Sequence, residues 1–328
     1  MARLSGRPLL DTRADAALFV DRDAELDRLI RAVAEGLNVL VSGARGLGRT
    51  SLLRQLAYRM AGGQAVRVLD ATSWTEPGAF LHRVAGAVGI DTSTLGQTAA
   101  GDVVARLSAA VSPLGQGTDE PQSGVLAVDG LSPAVAQVVF GQLRDEIWRV
   151  PLTWLVSCAE VDEPAFLRPP ADAFFDTTVR LPPLTDEAVS DLLRRRATPA
   201  ELSDDAVSEI VAVAGGNPRR AIDLARHLVL APTIDADAVT AVRDRLLQRD
   251  ETVARLGSPA RMLLAELEAS GGASASDERL LERLGWTRPR AAQVLGLLER
   301  AGLVEATDEQ RVSGRPRRVY RSKDWLTG

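Results

Sequence analysis

The residues with the clearest chemical potential fall in one run, Gly43-Ala44-Arg45-Gly46-Leu47-Gly48-Arg49-Thr50. Three glycines at this spacing let the chain turn tightly enough for its N–H groups to converge on one point. A helix opening directly behind them adds a dipole that favours negative charge, and together these make a cradle for phosphate oxygens. An apolar strand up to Ser42 leads into the run, and Thr50–Met60 reads as the helix that leaves it. The spacing is that of the Walker A loop at every fixed position but one, since Arg49 stands where lysine is the rule. Guanidinium pairs with phosphate, yet it is longer, planar and forked, so it does not replace an ammonium point for point. Gly43, Gly46, Gly48, Arg49, Thr50 and Ser51 are the expected contacts to ATP or ADP, with the Thr50 hydroxyl directed at Mg²⁺.

A second acidic element stands at a suitable distance downstream. Val125-Leu126-Ala127-Val128-Asp129 is an apolar strand ending in a carboxylate, where Asp129 can share Mg²⁺ with Thr50. The residue that polarises the attacking water usually follows such an aspartate. Here that residue is Gly130, which has no side chain to act as a base. Arg49 and Gly130 together predict weak or absent hydrolysis.

These residues need a scaffold, and the pattern around them supplies one. Short apolar runs at Leu37–Ser42, Ala65–Leu69, Val125–Asp129, Leu152–Ser157 and Thr177–Leu181 alternate with helical stretches at Thr50–Met60, Gly78–Ala87 and Pro133–Trp148. That alternation is the signature of an α/β fold with a parallel sheet. Ser132 and Pro133 form an N-cap and first-turn pair, while Ser112–Gly124 reads as a loop. After Leu181 the strands stop. Thr185 and Ser203 each open an amphipathic helix with acids in the first turn, and helices near Pro218–Leu230 and Ala236–Arg249 follow. The expected organisation is a loose leader at 1–18, an α/β nucleotide-binding domain at 19–183, an all-helical lid at 184–250 and a third domain at 251–328.

The third domain has the order of a winged helix-turn-helix: helices Ser258–Ala269, Ser276–Leu284 and Thr287–Ala301, then Leu303–Glu305, a polar turn and Arg311–Arg321. In the last helix Val294, Leu297 and Leu298 are expected to face the core, leaving Arg288, Arg290 and Gln293 for base edges and phosphates. Arg311, Arg315, Arg317, Arg318, Arg321 and Lys323 fall within thirteen residues that contain no acid. Such a hairpin suits contact with the backbone of duplex DNA. It suits a protein partner as well, because winged helices also serve as interaction modules.

Composition narrows the classes. The chain has 328 residues, too many for one compact core, and a net charge of −5. That sign argues against a wholly nucleic-acid-coating surface, but the charge is uneven. Residues 251–328 hold 13 Arg and Lys against 11 Asp and Glu, a net +2, which leaves about −7 for residues 1–250. Cys158 is the only cysteine, so an intrachain disulfide and a Cys-rich zinc site are excluded. No apolar stretch approaches membrane-spanning length, and the expectation is a cytoplasmic protein without a membrane partner. Basic residues are almost all arginine, Lys323 being the single lysine.

Before the phosphate loop, Phe19-Val20-Asp21-Arg22-Asp23-Ala24-Glu25-Leu26 resembles the F-V-G-R-x-x-E-L box of initiator-type (origin-recognition-like) AAA+ and STAND ATPases, with Asp21 in place of the usual glycine. Gly215-Gly216-Asn217-Pro218-Arg219-Arg220-Ala221 resembles the sensor-2 motif of the AAA+ lid. The resemblance spans most of the first 230 residues. It implies a polar sensor at Ser157, an arginine finger at Arg168 acting on a neighbouring subunit of a homo-oligomer, and a γ-phosphate contact at Arg219. A serine that merely ends a strand and a solvated surface arginine are the plain alternatives for Ser157 and Arg168. The function implied is a nucleotide-responsive DNA-binding protein. A non-catalytic scaffold whose winged helix binds protein, or a STAND-type signalling ATPase, stands as the alternative.

Overall fold

The computed structural model describes residues 4–63, 65–72, 74, 76–90, 100–111, 124–230, 236–309 and 317–323. The chain divides into two compact units, Arg7–Leu184 and Thr185–Gly328 together with Met1–Gly6.

In the first unit five strands form one parallel sheet in the order β2-β3-β4-β1-β5. They are β1 (Val39–Gly43), β2 (Val66–Asp70), β3 (Gly124–Asp129), β4 (Leu152–Ala159) and β5 (Thr177–Leu181). Helices α1 (Asp23–Ala34), α2 (Arg49–Met60), α3 (Pro77–Ala87) and α4 (Ala100–Val111) cover it. Side chains alternate across a strand, so a sheet covered on both faces needs two cores. Val39, Val41, Val125 and Ala127 pack on one face against Leu26, Leu29, Leu52, Leu53 and Leu56 of α1 and α2. Leu40, Leu126 and Val128 turn to the other face and meet Phe80, Leu81, Val84, Phe140 and Trp154. The strand runs read from sequence are all present, with ends moved by one or two residues. α4 had no counterpart in that reading, and Ser112–Ser123 lies outside the described residues.

Two local expectations are corrected. The single helix read at Pro133–Trp148 is instead an α-turn at Pro133–Ala136, a π-helical stretch at Gln137–Gln142 and a further α-turn at Arg144–Ile147. Gly141 in the π stretch lies so close to the next loop that an added Cβ would sit 2.9 Å from Pro170 Cγ. The extra residue in that turn carries Val139, Phe140 and Gly141 into the core together. The leader is not loose from Arg7 onward. Its Leu9 N–H donates to Ser51 Oγ (3.1 Å), Gln55 Nε2 donates to Leu10 O (2.7 Å), and buried Asp15 accepts from Arg7 and from the Leu10 N–H.

The second unit begins with α5 (Asp186–Arg194), α6 (Asp204–Ala214), α7 (Pro218–Leu230) and α8 (Ala236–Leu256). Thr185 and Ser203 cap α5 and α6 by accepting the N–H of Ala188 and Ala206. Each such cap is worth about 1 kcal/mol. α8 continues through residue 250 without a break. Then come α9 (Ser258–Ser270), α10 (Glu278–Leu284), α11 (Arg288–Arg300) and an antiparallel pair, β6 (Val304–Glu309) with β7 (Arg317–Ser322). A bridge between Ala273 and Tyr320 ties the segment after α9 to β7, completing the layout of a winged helix. The α11 residues in its core are Ala291, Val294, Leu295 and Leu298. Leu295 therefore takes the place expected for Leu297, because the buried stripe follows i, i+3, i+4 and i+7 from Ala291.

Candidate functional site

The phosphate loop joins β1 to α2, with both flanks held by buried residues. Gly46 and Gly48 have φ of +88° and +95°. At Gly48 an added Cβ would meet nothing within 4 Å, so backbone conformation rather than space selects glycine there. No side chain caps the N-terminus of α2, which leaves its first N–H groups to the loop side. This is the arrangement that receives phosphate.

Beside it, three residues from three elements meet. Thr50 Oγ1, in the first turn of α2, donates to Asp129 Oδ2 at 2.6 Å. Ser157 Oγ, on β4, donates to Asp129 Oδ1, and the Gly130 N–H donates to Ser157 Oγ at 3.0 Å. Asp129 is 8% exposed and Ser157 fully buried. A buried carboxylate needs its oxygens occupied, and two hydroxyls occupy both of these. Thr50, Asp129 and Ser157 thus come together. A hydroxyl and a carboxylate are hard oxygen donors, the set that Mg²⁺ takes with phosphate oxygens, so the residues fit that ion. Mg²⁺ held by Thr50 and Asp129 would neutralise phosphate charge.

Arg49 is placed differently. Its Nη1 donates to Gly43 O at 2.7 Å and to Cys158 O, which ties the loop to the end of β4. Burial lowers the pKa of the guanidinium from its ordinary value, opposed by the charges of Asp129, Cys158 and Asp162. Burial also pushes the Cys158 thiol up to about 12, with Arg49 opposing, so this cysteine is an inert core group. The Ser51 hydroxyl oxygen accepts the Leu9 N–H.

Gly130 has φ +74°, and a Cβ there would stand 2.4 Å from Thr72 Cγ2. A side chain at the position after Asp129 would be strained by the backbone conformation and would crowd the Thr72 methyl group. Thr72 itself is held by Asp70, whose Oδ1 accepts both its N–H (3.0 Å) and its hydroxyl (2.7 Å).

Ser42, Glu163 and Arg180, near the loop, were not singled out from sequence. Ser42, at the end of β1, donates to Glu163, which also accepts from Arg180 Nε at 2.8 Å. Burial pushes the Glu163 carboxyl up, but hydrogen bonds from Arg180 and Ser42 outweigh it and hold the pKa below the ordinary value. Buried Arg22 donates to Pro182 O at 2.6 Å and pairs with Glu25 at 3.1 Å. Asp21 has φ +43° and is the only residue other than glycine with positive φ among the described residues. The position where the resembling box carries glycine is thus a left-handed one, and aspartate is among the few residues that tolerate it. Arg168 is exposed between β4 and β5, and its carbonyl accepts from Gln137.

No protein-family model matches the sequence, and no curated protein does. Solved structures match along nearly the whole chain. The ORC1 protein of Aeropyrum pernix in complex with DNA is similar at 21% identity and a TM-score of 0.54, over 93% of this chain and 89% of that one. The ORC2 protein of the same organism, in ADPNP–ADP complexes, is similar at 17% identity and a TM-score of 0.50, over 92% and 89%. A Walker-type ATPase of Pyrococcus abyssi is similar at 14% identity and a TM-score of 0.54, over 99% and 98%. The chain shares the fold of these structures.

In the second unit, Gly215 and Gly216 close α6 with φ of +58° and +72°, and Asn217 Oδ1 accepts the Arg220 N–H at 3.1 Å. Arg219 follows in the first turn of α7, more than half exposed and 4.0 Å from Asp223. On the winged helix, Arg288, Arg290 and Gln293 are exposed on α11. Arg290 Nη1 donates to Gln293 Oε1 at 3.2 Å and lies over the Trp286 ring at 5.7 Å. The hairpin arginines are less free than their run suggested. Arg317 donates to Ser274 Oγ (2.6 Å) and Asp277 (2.7 Å), Arg318 to Glu299 (2.6 Å), and Arg321 to Thr307 (2.8 Å) and Glu309. Acids brought in from α10, α11 and β6 thus pair a stretch that contains none of its own. Arg311 and Arg315 lie outside the described residues. Among the described residues no helix is long and apolar enough to cross a membrane.

Proposed function

We propose that this chain is a nucleotide-responsive DNA-binding protein of AAA+ type with weak or absent ATP hydrolysis. The observation that carries the reading is the meeting of Thr50, Asp129 and Ser157 beside an uncapped helix behind a glycine-rich loop. Such a site suits the phosphates of ATP or ADP with Mg²⁺, and nucleotide complexes of a protein with the same fold support it. Weak hydrolysis is supported by Gly130, which supplies no acid after Asp129, and by Arg49, whose guanidinium is engaged by Gly43 and Cys158. DNA binding is supported by exposed Arg288 and Arg290 on α11 and by a DNA complex of a protein with this fold. Arg311 and Arg315 are proposed to add phosphate contacts, and Arg168 to act between subunits of a homo-oligomer.

A second reading draws on one observation, the ion pairs of Arg317, Arg318 and Arg321. Arginines already paired within the winged helix have less charge to offer phosphate, which favours a protein partner for that surface. Duplex-DNA affinity across a salt series, with ATP–Mg²⁺, ADP–Mg²⁺ or no nucleotide, separates the two. Salt-sensitive binding that changes with nucleotide is the expected result. Binding indifferent to nucleotide removes the switch, and no binding in any state removes the DNA reading.

A further inference from the structure

The acid missing after Asp129 has a counterpart one strand away. β2 lies beside β3 in parallel register, and Asp70 pairs with Asp129 at the carboxyl ends of both strands. The two chains stay joined past that pair, since the Ala71 N–H donates to Asp129 O at 2.8 Å. Neighbouring strands lie about 4.8 Å apart, and residues in register share a face. The face is identified by the residues below. Val66 and Val68 on β2, and Val125 and Ala127 on β3, pack into the core under α1 and α2, whereas Leu69 and Val128 turn to the opposite core. Asp70 therefore stands on the side of the sheet where Asp129 meets Thr50.

Its carboxylate is exposed and oriented. Oδ1 accepts two hydrogen bonds from Thr72, and the Thr72 methyl group fills the space over Gly130 that a side chain after Asp129 would need. One residue thus fixes Asp70 and crowds the usual position. We propose that Asp70 is the catalytic base of the residual hydrolysis. The proposal rests on the nucleotide reading above. In the reaction a water oxygen bonds to the terminal phosphorus of ATP as the bond from that phosphorus to the bridging oxygen breaks. The water proton passes to the Asp70 carboxylate and then to solvent, and the bond's electron pair leaves with ADP.

The test uses the full chain and two readouts, equilibrium ATP binding and single-turnover hydrolysis with protein in excess, and Thr50→Ala supplies the blank. Asp70→Asn is expected to keep ATP affinity within about twofold and to lower the single-turnover rate roughly 100-fold, the scale of a lost general base. Asp70→Glu, which keeps a carboxylate, is expected to turn over faster than Asp70→Asn. Loss of ATP binding by the unaltered protein would sink the nucleotide reading itself. Binding intact with no turnover above the blank, turnover unaffected by Asp70→Asn, or equal rates in the two variants would each overturn the assignment of Asp70 alone.

Discussion

Gly130→Ala is a demanding test of the site geometry. The substitution adds one carbon at φ +74°, in contact distance of 2.4 Å with Thr72 Cγ2 and 3.6 Å with Thr72 Cβ. The left-handed backbone costs a residue bearing a Cβ about 1–2 kcal/mol. Forcing a methyl group into filled space costs about 1–3 kcal/mol more. Thr72 cannot simply rotate away, because its hydroxyl is bonded to Asp70 at 2.7 Å and that bond is worth about 1 kcal/mol. The expected total is about 2–5 kcal/mol. For a unit of this size that lowers the midpoint of thermal unfolding by roughly 4–20 °C. Thr72→Ser separates the contributions, since it removes the methyl group and keeps the hydroxyl. In that background Gly130→Ala should cost only the backbone share, leaving a coupling of about 1–3 kcal/mol, the steric share, in the double-mutant cycle. The assay is thermal unfolding of the four full-length proteins. An equal cost of Gly130→Ala with Thr72 or Ser at position 72 would refute the steric argument, and no cost at all would refute the backbone argument too.

Four further outcomes are expected. At the left-handed Asp21, Asp21→Val should lower stability by about 1–2 kcal/mol, while Asp21→Gly should be neutral or mildly stabilising in the same unfolding assay. The depressed pKa of Glu163 means that its contribution is present above the ordinary carboxylate range and lost as pH falls through the folded-state value. The stability gap between the unaltered protein and Glu163→Gln should therefore be open at neutral pH and close on acidification below about pH 4, measured by urea unfolding across pH. Arg288→Ala and Arg290→Ala should each weaken DNA binding and reduce the slope of log affinity against log salt by about one. Arg317→Ala, which breaks bonds to Ser274 and Asp277, should instead lower the unfolding midpoint and leave that slope nearly unchanged.

The phosphate loop, its strand and helix, and the acid ending β3 were legible because each is written in local sequence. Glycine supplies positive φ, an apolar run of five buries a strand, and a polar residue before an acidic turn caps a helix. The same local rules revealed Thr185, Ser203 and the three helices of the winged domain. The sequence also carried one signal that was passed over, since Val66–Asp70 ends in an acid just as Gly124–Asp129 does. What made that acid matter was strand order, and strand order is not written in either run. Only the tertiary structure set β2 beside β3 and brought Asp70 level with Asp129. It also laid Thr72 over Gly130, turned Arg49 back to carbonyls on two strands, and seated the leader on Ser51. The hairpin arginines followed the same logic: a run without acids looked like free charge, yet folding supplied Asp277, Glu299 and Glu309 from elsewhere in the domain. Local sequence chooses the conformation of each segment, because sterics and capping act over a few residues. Which side chains share a site depends on contacts between segments far apart in the chain, and those are decided when the whole sheet buries its two faces.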